Sequence, residues 1–157
     1  MYELNKKGQA ILNTEALIPY EIATGPTWWR YFEEFKKEKI FGTRCPECKR
    51  VIVPAWPLCS DCFIETDEWV ELSGQGTIIG WSLTNYKYFG MPKDPPFIVA
   101  QIRLDGGDTD FWHFIGGLDL TNLDLLTKTL TNGKRVRPVW KKEKKGCVYD
   151  IDYFEPI

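Results

Sequence analysis

The 157-residue sequence predicts a mainly β protein in three consecutive parts. These are an N-terminal arm and aromatic helix over residues 1–40, a small cysteine-bearing module over 41–68, and a five-stranded barrel over 69–157 with one helix between its third and fourth strands. Three observations predict this. Beyond Trp69, five segments rich in β-branched and aromatic residues are divided by Gly, Pro, Asn and Asp clusters. Before Trp69, two Cys-x-x-Cys pairs stand ten residues apart in a stretch full of turn residues. Ahead of both, large aromatics recur at helical spacing.

Residues 1–20 keep no period and contain Asn5, Gly8, Asn13 and Pro19, which predicts an extended arm whose Ile11, Leu12, Leu17 and Ile18 give it something to dock with. A helix then begins near Thr24, with Pro26 in its first turn, and runs through residues 27–39. Glu33 and Glu34 precede Lys36, Lys37 and Lys39, as the helix dipole prefers. Trp28, Tyr31, Phe32 and Phe35 form its apolar stripe, a face to be covered by the following domain or by another subunit. The barrel segments are residues 74–89, 97–105, 110–119, 135–143 and 147–157. Between the third and fourth, residues 121–133 offer Thr121 or Asn122 as N-cap, a Leu123, Leu126, Leu130 stripe, and Gly133 as C-cap. The order β-β-β-α-β-β is that of an OB-fold, a five-stranded Greek-key barrel.

Cys45, Cys48, Cys59 and Cys62 carry the clearest chemistry. A two-residue gap lets both thiolates of a turn face one ion about 2.3 Å away, and two such turns close a tetrahedron, so a structural Zn2+ in a rubredoxin-like zinc ribbon is expected. Disulfides suit neither a reducing compartment nor an odd fifth cysteine. Iron of the rubredoxin type uses similar turns spaced farther apart, and a catalytic zinc would keep an open position. Cys147 reads as a small buried apolar residue.

No self-contained active site is visible. The single histidine, His113, lies inside a strand-like segment, and no nucleophile elbow, phosphate-binding glycine loop or zinc-protease helix is present. Asp105, Asp108 and Asp110 read as solvated loop carboxylates, and the Gly pairs at 106–107 and 116–117 as turns or a bulge. A net charge of −2 supplies no general attraction to nucleic acid or anionic lipid. No apolar run approaches the roughly 20 residues of a membrane span, and the N-terminus lacks a secretory pattern, so a cytoplasmic location is expected. Seven Trp, seven Tyr and nine Phe exceed what a small core needs, which points to aromatics facing a ligand or partner.

From about Tyr20 onward the chain resembles the zinc-ribbon and OB-fold family known as domain of unknown function 35. The residues that carry the resemblance are Trp29 and Phe32, the four cysteines, Pro54, Gly76, Thr77, Pro95, Pro96, Gly133, Val136 and the closing Phe154, Glu155 and Pro156. Lys49 stands where a glycine commonly follows the second cysteine, and Trp56 where a basic residue is usual. The resemblance implies a companion rather than a catalyst: an accessory subunit of a thiolase-like catalytic subunit, beside a CoA thioester at or near the shared interface. It also implies that Trp28, Trp29, Phe32, Tyr86, Phe89 and Trp112 supply contacts to the partner or to acyl-CoA. The competing expectation is a single-stranded nucleic-acid-binding module, using Lys134, Arg135, Arg137, Lys141, Lys142, Lys144 and Lys145 as a basic groove. A solvated strand edge is the plainer reading of that run.

Overall fold

The computed structural model describes residues 3–11 and 18–157. The expected extended arm is instead, over residues 3–11, a small antiparallel hairpin of β1 (Glu3–Leu4) and β2 (Ala10–Ile11). Asn5 makes the turn: its Oδ1 accepts from the Lys7 and Gln9 N–H groups, a local bond that competes with extension. Ile11 and Ile18, expected to dock, are exposed, and Leu12 and Leu17 lie outside the described residues.

Helix α1 (Gly25–Phe35) stops four residues short of the expected end. The Lys39 N–H bonds back to Glu34 and the Glu38 N–H to Phe35, while Glu38 takes a positive φ of 62°. That is a Schellman closure with a glutamate where glycine is usual, and it turns the chain sharply into the next sheet. Tyr31 and Phe35 are buried in the common core, and Phe35 packs edge-on against Trp140 at 5.7 Å. The Tyr31 and Phe35 part of the helix's apolar stripe is therefore covered within this chain, whereas Trp28 at its start stays exposed.

The ribbon sheet contains β3 (Ile40–Arg44), β4 (Val51–Ile52) and β5 (Glu68–Leu72) in the order β4-β3-β5, all antiparallel. After it come β6 (Gly76–Thr84), β7 (Phe97–Leu104), β8 (Asp110–Ile115), α2 (Leu123–Thr129), β9 (Arg135–Trp140) and, past a 3-10 turn at Val148–Asp150, β10 (Ile151–Pro156). These five strands close a barrel in the order β10-β8-β7-β6-β9, sealed by antiparallel β9–β10 and parallel β8–β10 pairing. This is the OB-fold order the sequence predicts. Along β7, Ile98, Ala100, Ile102 and Leu104 point inward by the strand's two-residue period. Asn122 caps α2 by accepting from the Leu125 N–H at 3.0 Å. The helix closes at Leu130, whose carbonyl accepts from Trp81 Nε1, and Gly133 falls beyond it, donating to Ile78 O in the turn toward β9.

The barrel grips the ribbon through the β7–β8 turn. Asp108 donates its N–H to Val51 O at 2.8 Å, and its carboxylate accepts from Val51 N–H at 2.8 Å. The Thr109 hydroxyl accepts from Val53 N–H at 2.6 Å and donates to Val53 O at 2.8 Å. Gly107 permits the approach, since a Cβ there would lie 3.0 Å from Val53 Cγ2. Asp105 and Asp108 are exposed, as expected of loop carboxylates, and also engaged, Asp105 with Arg135 at 2.5 Å and Asp108 with the ribbon strand; Asp110 departs from the expectation, half-buried at the start of β8 and paired with Arg103 at 2.5 Å.

Candidate metal centre and aromatic surface

Each cysteine pair sits in a backbone knuckle built the same way. Cys45 N–H bonds to Arg50 O and Lys49 N–H to Cys45 O; Cys59 N–H bonds to Ile64 O and Phe63 N–H to Cys59 O. The residue after the second cysteine takes the left-handed conformation in both, at φ 63° for Lys49 and 57° for Phe63. These turns bring one Sγ from each of Cys45, Cys48, Cys59 and Cys62 within 4.8 Å of one another. The Cys48–Cys59 sulfur separation is 3.7 Å, close to the roughly 3.8 Å edge of a tetrahedron with 2.3 Å zinc–sulfur bonds and far too long for a disulfide. All five cysteines are free thiols.

The surroundings act unequally on the four thiols. Burial pushes the Cys45 thiol up, yet the N–H groups of Cys48 and Glu47 aimed at its sulfur bring it down to about 7. Cys62, hydrogen-bonded to Cys48 and partly buried, is pushed up to about 12. Arg50 of the first knuckle pairs with Asp61 of the second, so a guanidinium near the sulfurs offsets the excess negative charge of four thiolates on one dication. The cysteines fit a structural Zn2+ whose shell they fill; the ion would lock the two knuckles together. Thr43, fully buried, donates to Trp56 O at 2.8 Å and accepts from its N–H at 3.1 Å, fixing the segment between the knuckles.

The other groups that could do chemistry are engaged in holding the fold. His113 is 5% exposed and stacks on Phe111 at 5.7 Å. Burial holds it below the ordinary imidazole range, and its Nε2 lies 3.0 Å from Val148 O. Cys147 is half-buried, not a sealed core residue, with Sγ 3.5 Å from Asp150 Oδ1 at the start of the 3-10 turn. Asp150, 2% exposed, accepts from the backbone N–H groups of Lys145, Gly146 and Cys147. Nor do residues 141–145 form a strand edge, for β9 ends at Trp140. Among the basic residues there, Arg135, Arg137, Lys141 and Lys144 face Asp105, Glu155, Asp152 and Glu38.

The aromatics expected at a contact surface fall in two places. Trp28 packs on Phe32 at 6.0 Å and on Trp56 at 5.3 Å, at the start of α1 beside a hollow lined by Ile22, Pro26 and Pro57. Tyr86 and Trp112 join Tyr88, Phe114 and Tyr149 around a second hollow of about 310 Å³ on the barrel, between β8 and the β6–β7 loop. Trp29 and Phe89 are exposed but line neither. Trp56, Tyr88 and Tyr149 were not among the expected residues; only their aromatic character, shared with the core, could have signalled them.

A tetrathiolate ribbon joined edge-on to a closed five-stranded barrel defines a zinc-ribbon and OB-fold protein. Two family descriptions match it in succession: the rubredoxin-like zinc ribbon domain of ChsH2 over residues 32–68, and the C-terminal OB-fold domain of ChsH2 over residues 69–141. The chain belongs to this ChsH2, or DUF35, family. A DUF35 domain-containing scaffold protein of Methanocaldococcus jannaschii is 30% identical over 80 residues, which is 50% of this chain and 55% of that one, so the match spans about half of each. Two solved structures share the fold. A DUF35-family protein of unknown function from Sulfolobus solfataricus has a TM-score of 0.59 at 19% identity over 85% of both chains. The Ltp2-ChsH2(DUF35) aldolase has 0.57 at 21% identity over 81% of this chain and 91% of that one. No helix among the described residues is long and apolar enough to cross a membrane.

Proposed function

We propose that this chain is a non-catalytic, zinc-bearing accessory subunit of a thiolase-type acyl-CoA enzyme, working in the cytoplasm where its thiolates stay reduced. One observation carries the reading: two clusters of large aromatics are left at the surface, while His113 and Asp150 are buried in hydrogen bonds to the backbone and Asp105, Asp108 and Asp110 are taken up by Arg135, Val51 and Arg103. His113 does line the barrel hollow, but it is 5% exposed with Nε2 against Val148 O, and exposed aromatic area of this kind favours association over catalysis. The relative named a scaffold protein and the neighbour named an Ltp2-ChsH2 aldolase support the same direction.

In this reading the partner's own cysteine performs acyl transfer. This chain contributes walls: Trp28, Trp29 and Phe32 bear on the catalytic subunit, and Tyr86, Phe89 and Trp112, with the loop of residues 85–96, cover the acyl or pantetheine part of a CoA thioester and keep water from it. In its narrowest form the reaction is benzoylsuccinyl-CoA thiolysis, as in anaerobic toluene degradation, a reading that rests only on a likeness of the sequence to the small subunit of such a thiolase. The test is reconstitution with a thiolase-type subunit from the same source, following CoA-dependent cleavage of a 3-oxoacyl-CoA. Activity should need both chains and should drop when residues 86–96 are shortened. Turnover of a thioester by this chain alone, or full activity of the catalytic subunit without it, would overturn the proposal.

A further inference from the structure

The two zinc knuckles place a side chain in the left-handed region at equivalent positions, Lys49 and Phe63, where glycine alone adopts that backbone without strain. At Lys49 the strain has an internal return, for its ammonium donates to Pro46 O at 2.6 Å and closes the knuckle. At Phe63 the backbone closes the same turn, but the side chain returns nothing to it. The phenyl ring is 85% exposed and joins no aromatic pair among the described residues. A bulky residue held in an unfavourable conformation with its ring in water points to a contact outside the chain.

We propose that Phe63 is an anchor, presented by the zinc-locked knuckle, that inserts into an apolar pocket rimmed by Lys or Arg on the catalytic subunit. This rests on the accessory-subunit reading above. The rim charge follows from the neighbours. Asp61, Glu65, Asp67 and Glu68 lie within five positions of Phe63 along the chain; Arg50 and Arg44 engage Asp61 and Glu68, whereas Glu65 and Asp67 are in no ion pair among the described residues. Glu65 and Asp67 also line, with Leu58 and Trp69, a hollow of about 510 Å³ that begins two residues from Phe63. An aromatic knob on a segment that also carries two unpaired acids fits a basic-rimmed socket and repels an anionic membrane. Because the metal fixes both ends of the knuckle, the anchor is ordered before binding and loses little freedom on insertion.

Phe63→Gly separates the anchor from any structural role. Gly suits the backbone better, so the zinc-loaded full chain should melt at the same or a higher temperature with one zinc retained, while its Kd for the purified thiolase-type subunit rises at least tenfold. Glu65→Lys should slow association and flatten its dependence on salt. Binding within twofold of wild type by Phe63→Gly overturns the anchor and leaves the accessory reading standing. A lower melting temperature or lost zinc in that variant also overturns it, by making Phe63 structural. Failure of the wild-type chain to bind any thiolase-type subunit removes the accessory reading and the anchor with it.

Discussion

If the β7–β8 turn couples ribbon to barrel, weakening that turn should divide the unfolding of the chain. In Asp108→Ala the Val51 N–H loses a carboxylate acceptor at 2.8 Å, a charge-assisted bond worth about 1.5–3 kcal/mol. In Thr109→Val, a near-isosteric change, Val53 loses both a donor and an acceptor partner, at about 0.5–1.5 kcal/mol for each bond. Each single variant should therefore cost about 2 kcal/mol. The double should cost less than the sum, because both bonds hold one strand segment and losing the first loosens the second. With a urea slope of about 2 kcal/mol/M, each single variant moves the midpoint down by about 1 M. The assay is urea unfolding of the full chain loaded with cobalt, read in parallel by the thiolate-to-cobalt absorption for the ribbon and far-ultraviolet circular dichroism for the barrel. The two traces should coincide in the parent chain and separate in the double variant, with the ribbon opening first. Midpoints lowered by less than about 0.2 M in both single variants, or coincident traces in the double, would refute the coupling.

Three further outcomes follow from the same structure. Burial works to raise the Asp150 carboxyl, but three backbone N–H groups outweigh it and hold it below the usual range. Its stabilising contribution is therefore present above the unfolded value near 4 and is lost as pH falls through the lower folded value, so Asp150→Asn should weaken the chain by about 1–3 kcal/mol at neutral pH and flatten the acid limb of its stability curve; an unaltered acid limb counts against the cradle. Stripping zinc with a strong chelator should release one ion per chain and abolish ribbon order, since such sites contribute an apparent ~10–16 kcal/mol to folding; a colourless protein before stripping, a metal content of one zinc and no iron, and a lowered melting temperature afterwards are the expected readings. Gly76→Ala should destabilise by about 3 kcal/mol, because the added Cβ would sit 2.6 Å from the backbone oxygen of Arg103, and Gly116→Ala should cost at least as much because its Cβ would lie closer still to Cγ of Tyr153, the root of a ring carried by β10; thermal melts in which either variant matches the parent chain would refute this.

What could be read from the sequence was whatever rests on local chemistry. Cys-x-x-Cys spacing fixes a knuckle within four residues, and β-rich segments between turn clusters give five strands in the right order. What could not be read depends on contacts between distant residues. Asp108 and a solvated loop aspartate look the same until Val51, 57 positions away, is brought beside it. The segment 85–89 continues the β-rich texture of β6, yet β6 stops at Thr84 because β7 begins at Phe97, its cross-strand partner, and offers nothing beyond. The N-terminal hairpin turns on the Asn5 side chain, two backbone bonds between Asn5, Gly8 and Gln9 and a left-handed Gly8, too small a signal to outweigh an absent period. Trp28 was legible as a helix-stripe residue, but its pairing with Trp56 across the ribbon was not.

The placement of the metal explains why so small a ribbon can serve as a docking element at all. About 30 residues with two-residue β4 and a five-residue β3 bury too little apolar area to hold a surface shape alone. Its order comes from two sources at opposite ends: the tetrathiolate site at the knuckles, and the Asp108 and Thr109 bonds at the barrel edge. Removing either end loosens the segment between them, which carries Trp56 and Leu58 and leads into the knuckle that carries Phe63. Partner affinity and ribbon stability should then fall together on chelation or in Asp108→Ala, and part company only in Phe63→Gly, where the scaffold is kept and the contact alone is lost. A series in which these variants all moved affinity and stability in proportion would mean that the ribbon stabilises the barrel and presents nothing to a partner.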